Sequence, residues 1–286
     1  MPGSLATLLT YLIALLCATV LLPRARHELY LHNNLGVHEP LREKFRLDWW
    51  VVALALSAGW SNFGYVLGVL HGEVMRVLLL FYLAPLWTVL FSYALLGERL
   101  NRYGYVVIAL SFGGALIMLW RPQLGLPLPQ SIAEWIGLSA GMSFALSNVV
   151  SRRAAHLSVP TKSTSVLFGT AILSLPMLLW ESGLLWESGL ARVLAIEAGS
   201  WLIIGLLGVV LCAASFAVQH GLSRLAANRV IILFLFELVF AAIASYFLVN
   251  EAVQLRDGLG ALLIISASLL SGKLGNGKTV ASKRHP

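Results

Sequence analysis

Charge is what this chain has least of. Asp, Glu, Lys and Arg together make up 12% of its 286 residues, about half of the ~25% that a soluble domain carries. Apolar residues reach 58% and the mean hydropathy is +0.82, so a water-soluble fold is excluded. Cysteine is almost absent: Cys17 and Cys212 both sit in apolar runs, with neither a disulfide framework nor a metal-ligand spacing around them. The seven histidines never recur four residues apart, and no His-Glu-x-x-His, Gly-x-Ser-x-Gly or Walker loop occurs. The pattern therefore points to no enzyme, no cofactor and no metal.

What the chain has instead is length in apolar stretches. A bilayer-spanning helix needs about 20 apolar residues. Nine segments meet that need, at about 4–23, 49–70, 74–96, 103–120, 134–151, 164–180, 200–220, 229–249 and 257–272, here called A to I. The expected fold is an all-α polytopic membrane protein. Helix A does not read as a signal peptide, because its charges, Arg24 and Arg26, follow the apolar run. The formal net charge of +7 would suggest nucleic acid in a soluble protein, but here the distribution explains it. Of the 20 basic residues, 16 fall in alternate loops starting after helix A and in the tail, and only Arg76, Arg121, Arg192 and Arg256 fall on the other side. Cytoplasmic loops collect Lys and Arg, so the C-terminus is placed in the cytoplasm and, with nine helices, the N-terminus outside. Trp49, Trp50, Trp120, Trp135, Trp180, Trp186 and Trp201 fall near helix ends, where an interfacial belt places them.

An internal repeat is also present. An offset of 153 aligns Arg76-Val77 with Arg229-Val230, Leu80-Phe81 with Leu233-Phe234, Ser92-Tyr93 with Ser245-Tyr246, Leu95 with Leu248 and Glu98 with Glu251. Helix C thus has a copy in helix H. The two run in opposite directions through the membrane, the inverted arrangement of many secondary transporters.

The run from Ala84, APLWTVLFSYALLGERL, and its second copy, FELVFAAIASYFLVNEAV, resemble the signature of the EamA-type transporters of the drug/metabolite transporter superfamily. Leu238 stands where the family commonly has a proline. The resemblance implies ten helices in two inverted halves with both termini cytoplasmic. Its halves map here to residues 1–120 and 134–272, with a basic tail at 273–286. Helix A matches the family's second helix, so the first is expected to be missing. A misplaced start codon and a nine-helix protein both account for that.

Glu237 is the one ionisable group well inside a span. A charge at that depth costs about 3 kcal/mol even on insertion scales, so it must face a cavity or a partner. Two readings stand: a carboxylate carrying protons or substrate, with burial raising its pKa, or a protonated Glu bonded to a neighbouring helix. Ala241 and Ser245 put small side chains on the same face. Helix B aligns Ser57, Ser61, Gly64, Tyr65 and Gly68, flanked by Trp60 and Asn62; helix G aligns Gly205, Gly208, Cys212, Ser215 and Gln219; helix E has Ser139, Ser143, Ser147 and Ser151. Small residues suit close helix packing, whereas Asn62, Tyr65, Ser215 and Gln219 also suit a polar cavity. Trp60, Tyr82 and Trp87 suit an aromatic cavity lining as well as packing. Pro85 removes a helix hydrogen bond and is a candidate for gating. Arg76 and Arg229 read as topology anchors at helix starts, with Glu73 placed to pair with Arg76.

These features lead to an expected secondary transporter of small organic metabolites, amino acids or aromatic and drug-like compounds. It would be an exporter working by alternating access, with a cavity between helices B, C, G and H and protons as a coupling partner through Glu237. Its other partner is the lipid bilayer of the cell membrane. The alternative is a transport-silent membrane interaction protein.

Overall fold

The computed structural model describes residues 3–33, 48–98, 102–120, 128–181, 197–225 and 255–271, together with 230, 232–235, 237–240 and 243. Its elements are α1 (Gly3–Asn33), α2 (Trp49–His71), α3 (Val74–Phe81), α4 (Ala84–Phe91), a π turn (Ser92–Leu96), α5 (Arg102–Leu119), α6 (Ile132–Arg153), α7 (Val159–Glu181), α8 (Ala198–Arg224) and α9 (Leu255–Ser271). Helical turns also occur at 232–235 and 237–240, and no strand occurs among the described residues. Three helical stretches, Trp49–His71, Arg76–Leu96 and Ala198–Arg224, are long and apolar enough to cross a bilayer. The fold is all-α and polytopic, as the apolar stretches require. Trp49, Trp120, Trp135 and Trp201 are all exposed at or beside the ends of α2, α5, α6 and α8. Arg229, Ala241, Ser245, Glu251, Trp186 and the basic tail lie outside the described residues.

Helix starts follow their capping residues. Asp48 Oδ1 accepts the Trp50 N–H at 3.1 Å, Ser131 Oγ the Glu134 N–H at 3.3 Å and Ser158 Oγ the Thr161 N–H at 3.3 Å, each relieving an orphan donor of the first turn. Gly97, at φ 67°, ends the π turn in the left-handed region, which glycine enters without steric cost.

Two expectations about boundaries change. Helix A continues through Arg24 and Arg26 to Asn33, because neither residue breaks a helix. Helix C is not one rod. It breaks at Tyr82-Leu83 into α3 and α4 and then widens into the π turn. Pro85 has no N–H, so the Phe81 carbonyl one turn back loses its normal donor, and the chain steps aside there.

The chain divides into two compact units: residues 1–63 with 154–220, and residues 64–153 with 221–286. In the first, α1 packs on α7, with Ala14, Ala18, Leu167 and Cys212 at its centre. There α2 and α7 cross at Gly59 and Gly169, so closely that a Cβ on Gly169 would lie 1.9 Å from the Ala55 carbonyl oxygen. In the same unit Asp48 pairs with His156. The hydrogen bond from His156, and then that from the Trp50 N–H, hold the Asp48 carboxyl below its ordinary value of 3.8. A carboxyl held low in the folded state stabilises the fold above its unfolded pKa, and the contribution disappears as the pH falls through the folded one. Asp48→Asn is therefore expected to lower the melting temperature slightly at pH 6 and leave it unchanged near pH 2. A shift of equal size at both pH values would refute this.

In the second unit, α5 packs on α9 and α6 on both α3 and α4. Its two cores gather Leu79, Met118, Leu235 and Ile264, and Ala84, Val107, Ala145 and Ile232. An ion pair holds each end of the α3–α4/α6 packing. Arg76 binds Glu134 through Nε–Oε1 at 2.9 Å and Nη2–Oε2 at 3.1 Å, and Arg152 Nε binds Glu98 Oε1 at 2.9 Å. The acid that clamps Arg76 is thus Glu134, on another helix, while the sequence neighbour Glu73 is exposed. Arg76 to Glu98 spans 22 residues and Glu134 to Arg152 only 18. The helices run parallel, and the chain break and π turn take up the surplus residues.

Candidate functional site

The second unit carries an aromatic line that begins at the helix break. The Tyr65 ring, on α2, lies 4.9 Å from that of Phe81 at the end of α3. Phe81 meets Tyr82 edge-on at 5.7 Å and Phe144 of α6 at 5.5 Å. Phe144 in turn meets Phe234 at 5.0 Å. These separations are those of mutually attractive rings. The break follows directly on Phe81, and Gly141 lets the Phe81 carbonyl come close to α6. A Cβ on Gly141 would lie 2.3 Å from that oxygen.

Glu237 lies one turn beyond Phe234. Tyr82 and Tyr65 lie near its carboxyl group. The residue is exposed. The carboxyl group, expected to face a cavity or a partner, has an open side and Tyr82 near it. Trp87 packs against the same core as Phe144 and Phe234, and its Nε1 is buried without a hydrogen-bond partner. Pro85 stands at the start of α4, just past the break. Tyr65, Tyr82, Pro85, Trp87 and Glu237 therefore belong to one unit and gather around one group of rings.

The other sequence candidates lie in the first unit. Asn62 Nδ2 donates to Thr170 Oγ1 at 3.1 Å. Trp60 rests edge-on against Phe63 at 6.4 Å. Ser215 Oγ is buried without a partner, and Gln219 is buried. Gly208 and Cys212 of the same helix face α1: a Cβ on Gly208 would meet Ile13 at 2.7 Å, and Cys212 joins Ala14 and Ala18.

Four residues of note were not singled out from sequence as site residues. Phe81 and Phe234 occupy the same position of the 153-residue offset and both rings touch Phe144, so the repeat itself carried a signal for them. Phe144 carried none beyond lying among the serines of its helix. Lys162 counted as a loop residue by charge but sits in the first turns of α7 with no exposed surface. Among the described residues no cluster of His, Cys, Asp or Glu could hold a metal ion.

Known proteins give the frame for this site. The model of the EamA-like transporter family matches residues 2–120 and 131–272. A protein of Archaeoglobus fulgidus described as an uncharacterized transporter is 28% identical over 234 residues, which is 81% of this chain and 79% of that one. A solved crystal structure shares the fold with a TM-score of 0.68 at 20% identity, over 96% of this chain and 89% of the other.

Proposed function

This chain belongs to the EamA-like transporter family and is a multi-pass membrane transporter; from that premise we propose that it exports small organic metabolites by alternating access, with Glu237 as the group that binds substrate or exchanges a proton with it. The observation carrying this is an exposed carboxyl group in an apolar segment, one turn beyond Phe234 and beside the line of rings formed by Tyr65, Phe81, Phe144 and Phe234. An accessible carboxyl group in a membrane helix is suited to repeated loading and unloading. The aromatic faces suit an apolar or aromatic body, or a cation through its attraction to the rings. Trp87 would add a donor, and Pro85, at the break, would let α4 shift against α3. Asn62, Trp60, Ser215 and Gln219 remain proposed cavity residues of the first unit. Export, a cytoplasmic C-terminus, an outer N-terminus with nine spans, and two inverted halves at 1–120 and 134–272 are part of the same proposal. They rest on the family resemblance and on the 16 of 20 basic residues that share one side.

The test is transport by the purified chain in proteoliposomes with an imposed pH gradient. Removing a charged partner of this kind costs 2–5 kcal/mol. Glu237→Gln is therefore expected to cut transport on the order of 100-fold while the melting temperature stays near that of the parent. Full transport by Glu237→Gln at every pH would end this assignment.

A further inference from the structure

We infer that the Arg152 end of the second unit is a docking surface for the headgroup of an anionic phospholipid. The inference does not depend on the reading of Glu237. Arg152, near the end of α6, is a junction: its Nε binds Glu98 Oε1 at 2.9 Å and its Nη1 donates to the Leu225 carbonyl. Glu98 lies just past the spanning stretch Arg76–Leu96, and Leu225 just past the spanning stretch Ala198–Arg224. Two spans therefore end at one guanidinium, and a group just beyond a span lies at headgroup depth. Further arginines surround this junction. Arg153 follows Arg152, Arg224 precedes Leu225, and Arg102 lies four residues along the chain from Glu98, within about 14 Å. All three are exposed.

Acids at this end do not balance the cations. Among the described residues of the unit, Glu98 is spent on Arg152. Glu73 precedes α3 and Glu134 holds Arg76, both at the opposite end of the α3–α4/α6 packing. Glu237 lies near Tyr82, at the break between α3 and α4. Asp257 is three residues before Gly260, where an added Cβ would meet Met118, close to the end of α5 and away from Arg102 at its start. Arg256 shares that far end. Arg102, Arg152, Arg153 and Arg224 thus face Glu98 alone. Basic clusters beside a span attract anionic headgroups, and a guanidinium holds a phosphate through paired N–H donors. A zwitterionic headgroup has no net charge to answer the excess. The flanks next to the cations are apolar and exposed, with Leu90 and Tyr93 before Glu98 and Tyr105 and Val106 after Arg102. These suit the acyl chains of a lipid, which a free anion lacks.

Native mass spectrometry of the detergent-purified full chain tests this, with dioleoyl phosphatidylglycerol and dioleoyl phosphatidylcholine titrated separately. The first phosphatidylglycerol is expected to bind at least about 10-fold more tightly than phosphatidylcholine, since each arginine near the headgroup is worth about 5-fold. Arg102→Gln combined with Arg224→Gln should bring the two lipids within about 3-fold of each other. Removing the same two charges from the tail, by Lys283→Gln with Arg284→Gln, should keep the preference. Inorganic phosphate at matched ionic strength should not displace phosphatidylglycerol. Equal binding of the two lipids by the unaltered chain would overturn the inference. So would an undiminished preference in the arginine double variant, or its loss in the tail variant, which would mark a diffuse field instead of a site. Displacement by phosphate would show a free-anion site and sink the lipid assignment. The comparison on the unaltered chain decides the matter even where a variant does not fold.

Discussion

Glu134→Gln lowers the stability of the purified chain by about 3–5 kcal/mol, the expected cost of leaving a buried charge without its partner. Arg76 is 8% and Glu134 5% exposed, and the guanidinium spends Nε and Nη2 on the two carboxylate oxygens while Nη2 also reaches the Leu128 carbonyl at 3.0 Å. Glu134 in turn accepts the Gln130 N–H at 2.8 Å, so a single carboxylate ties α3, α6 and the chain leading into α6. An amide keeps the shape but loses the charge, and it turns an N–H₂ toward the guanidinium. Replacing both members, as in Arg76→Met with Glu134→Met, removes the stranded charge and is expected to cost less than either single change. Denaturant unfolding followed by tryptophan fluorescence, on the two single variants and the double, checks this. Costs for the singles that simply add up in the double would show that the pair contributes no coupling.

Gly141 offers the second large effect. Any side chain there meets the Phe81 carbonyl oxygen at 2.3 Å and its carbonyl carbon and Cα at 2.9 Å. These are backbone atoms, so no rotamer change relieves the clash, and α6 and α3 must separate. Overpacking of this kind costs about 1–3 kcal/mol and sometimes more. Because the displaced residue is Phe81, with Tyr82 beside it, Gly141→Leu is expected to abolish substrate binding even in protein that still folds. Gly113→Ala is the control, since it has open space around it and gains helix propensity of up to about 1 kcal/mol. Melting temperatures and ligand titrations on both variants should part company. If Gly141→Leu binds and melts like the parent, the account of the break is wrong.

Much of this architecture could be read from the residue string. The apolar stretches located the helices because a span is long and its composition is distinctive. Pro85 marked the break because a missing N–H is visible in one letter. The π turn left no such mark: Ser92–Leu96 has the composition of any apolar helix. The partner of Arg76 was equally hidden. Sequence proximity favours Glu73, whereas parallel packing of α3 and α6 brings in Glu134 from 58 residues away. Lys162 misled for a related reason, as its Thr and Ser neighbours resemble a loop while the helix begins earlier, at Val159. Glu237 stood out at once because one charge in an apolar run has no background to hide in. Tyr82 was legible as an aromatic candidate, but its nearness to Glu237 was not, since contact between helices is not written in spacing along one of them.

The two ion pairs bear on the membrane as well as on the fold. Glu134 and Arg152 sit on one unbroken helix, 18 residues apart, which at about 1.5 Å per residue is ~27 Å. A hydrocarbon core averages about 30 Å, and the bacterial outer membrane and endoplasmic reticulum are thinner than sterol-rich membranes. The protein thus carries a fixed measure of hydrophobic thickness that it cannot lengthen without breaking a salt bridge. In lipids of increasing acyl length, activity should pass through a maximum near that thickness and fall on the thicker side, where one of the charged pairs would be drawn into hydrocarbon.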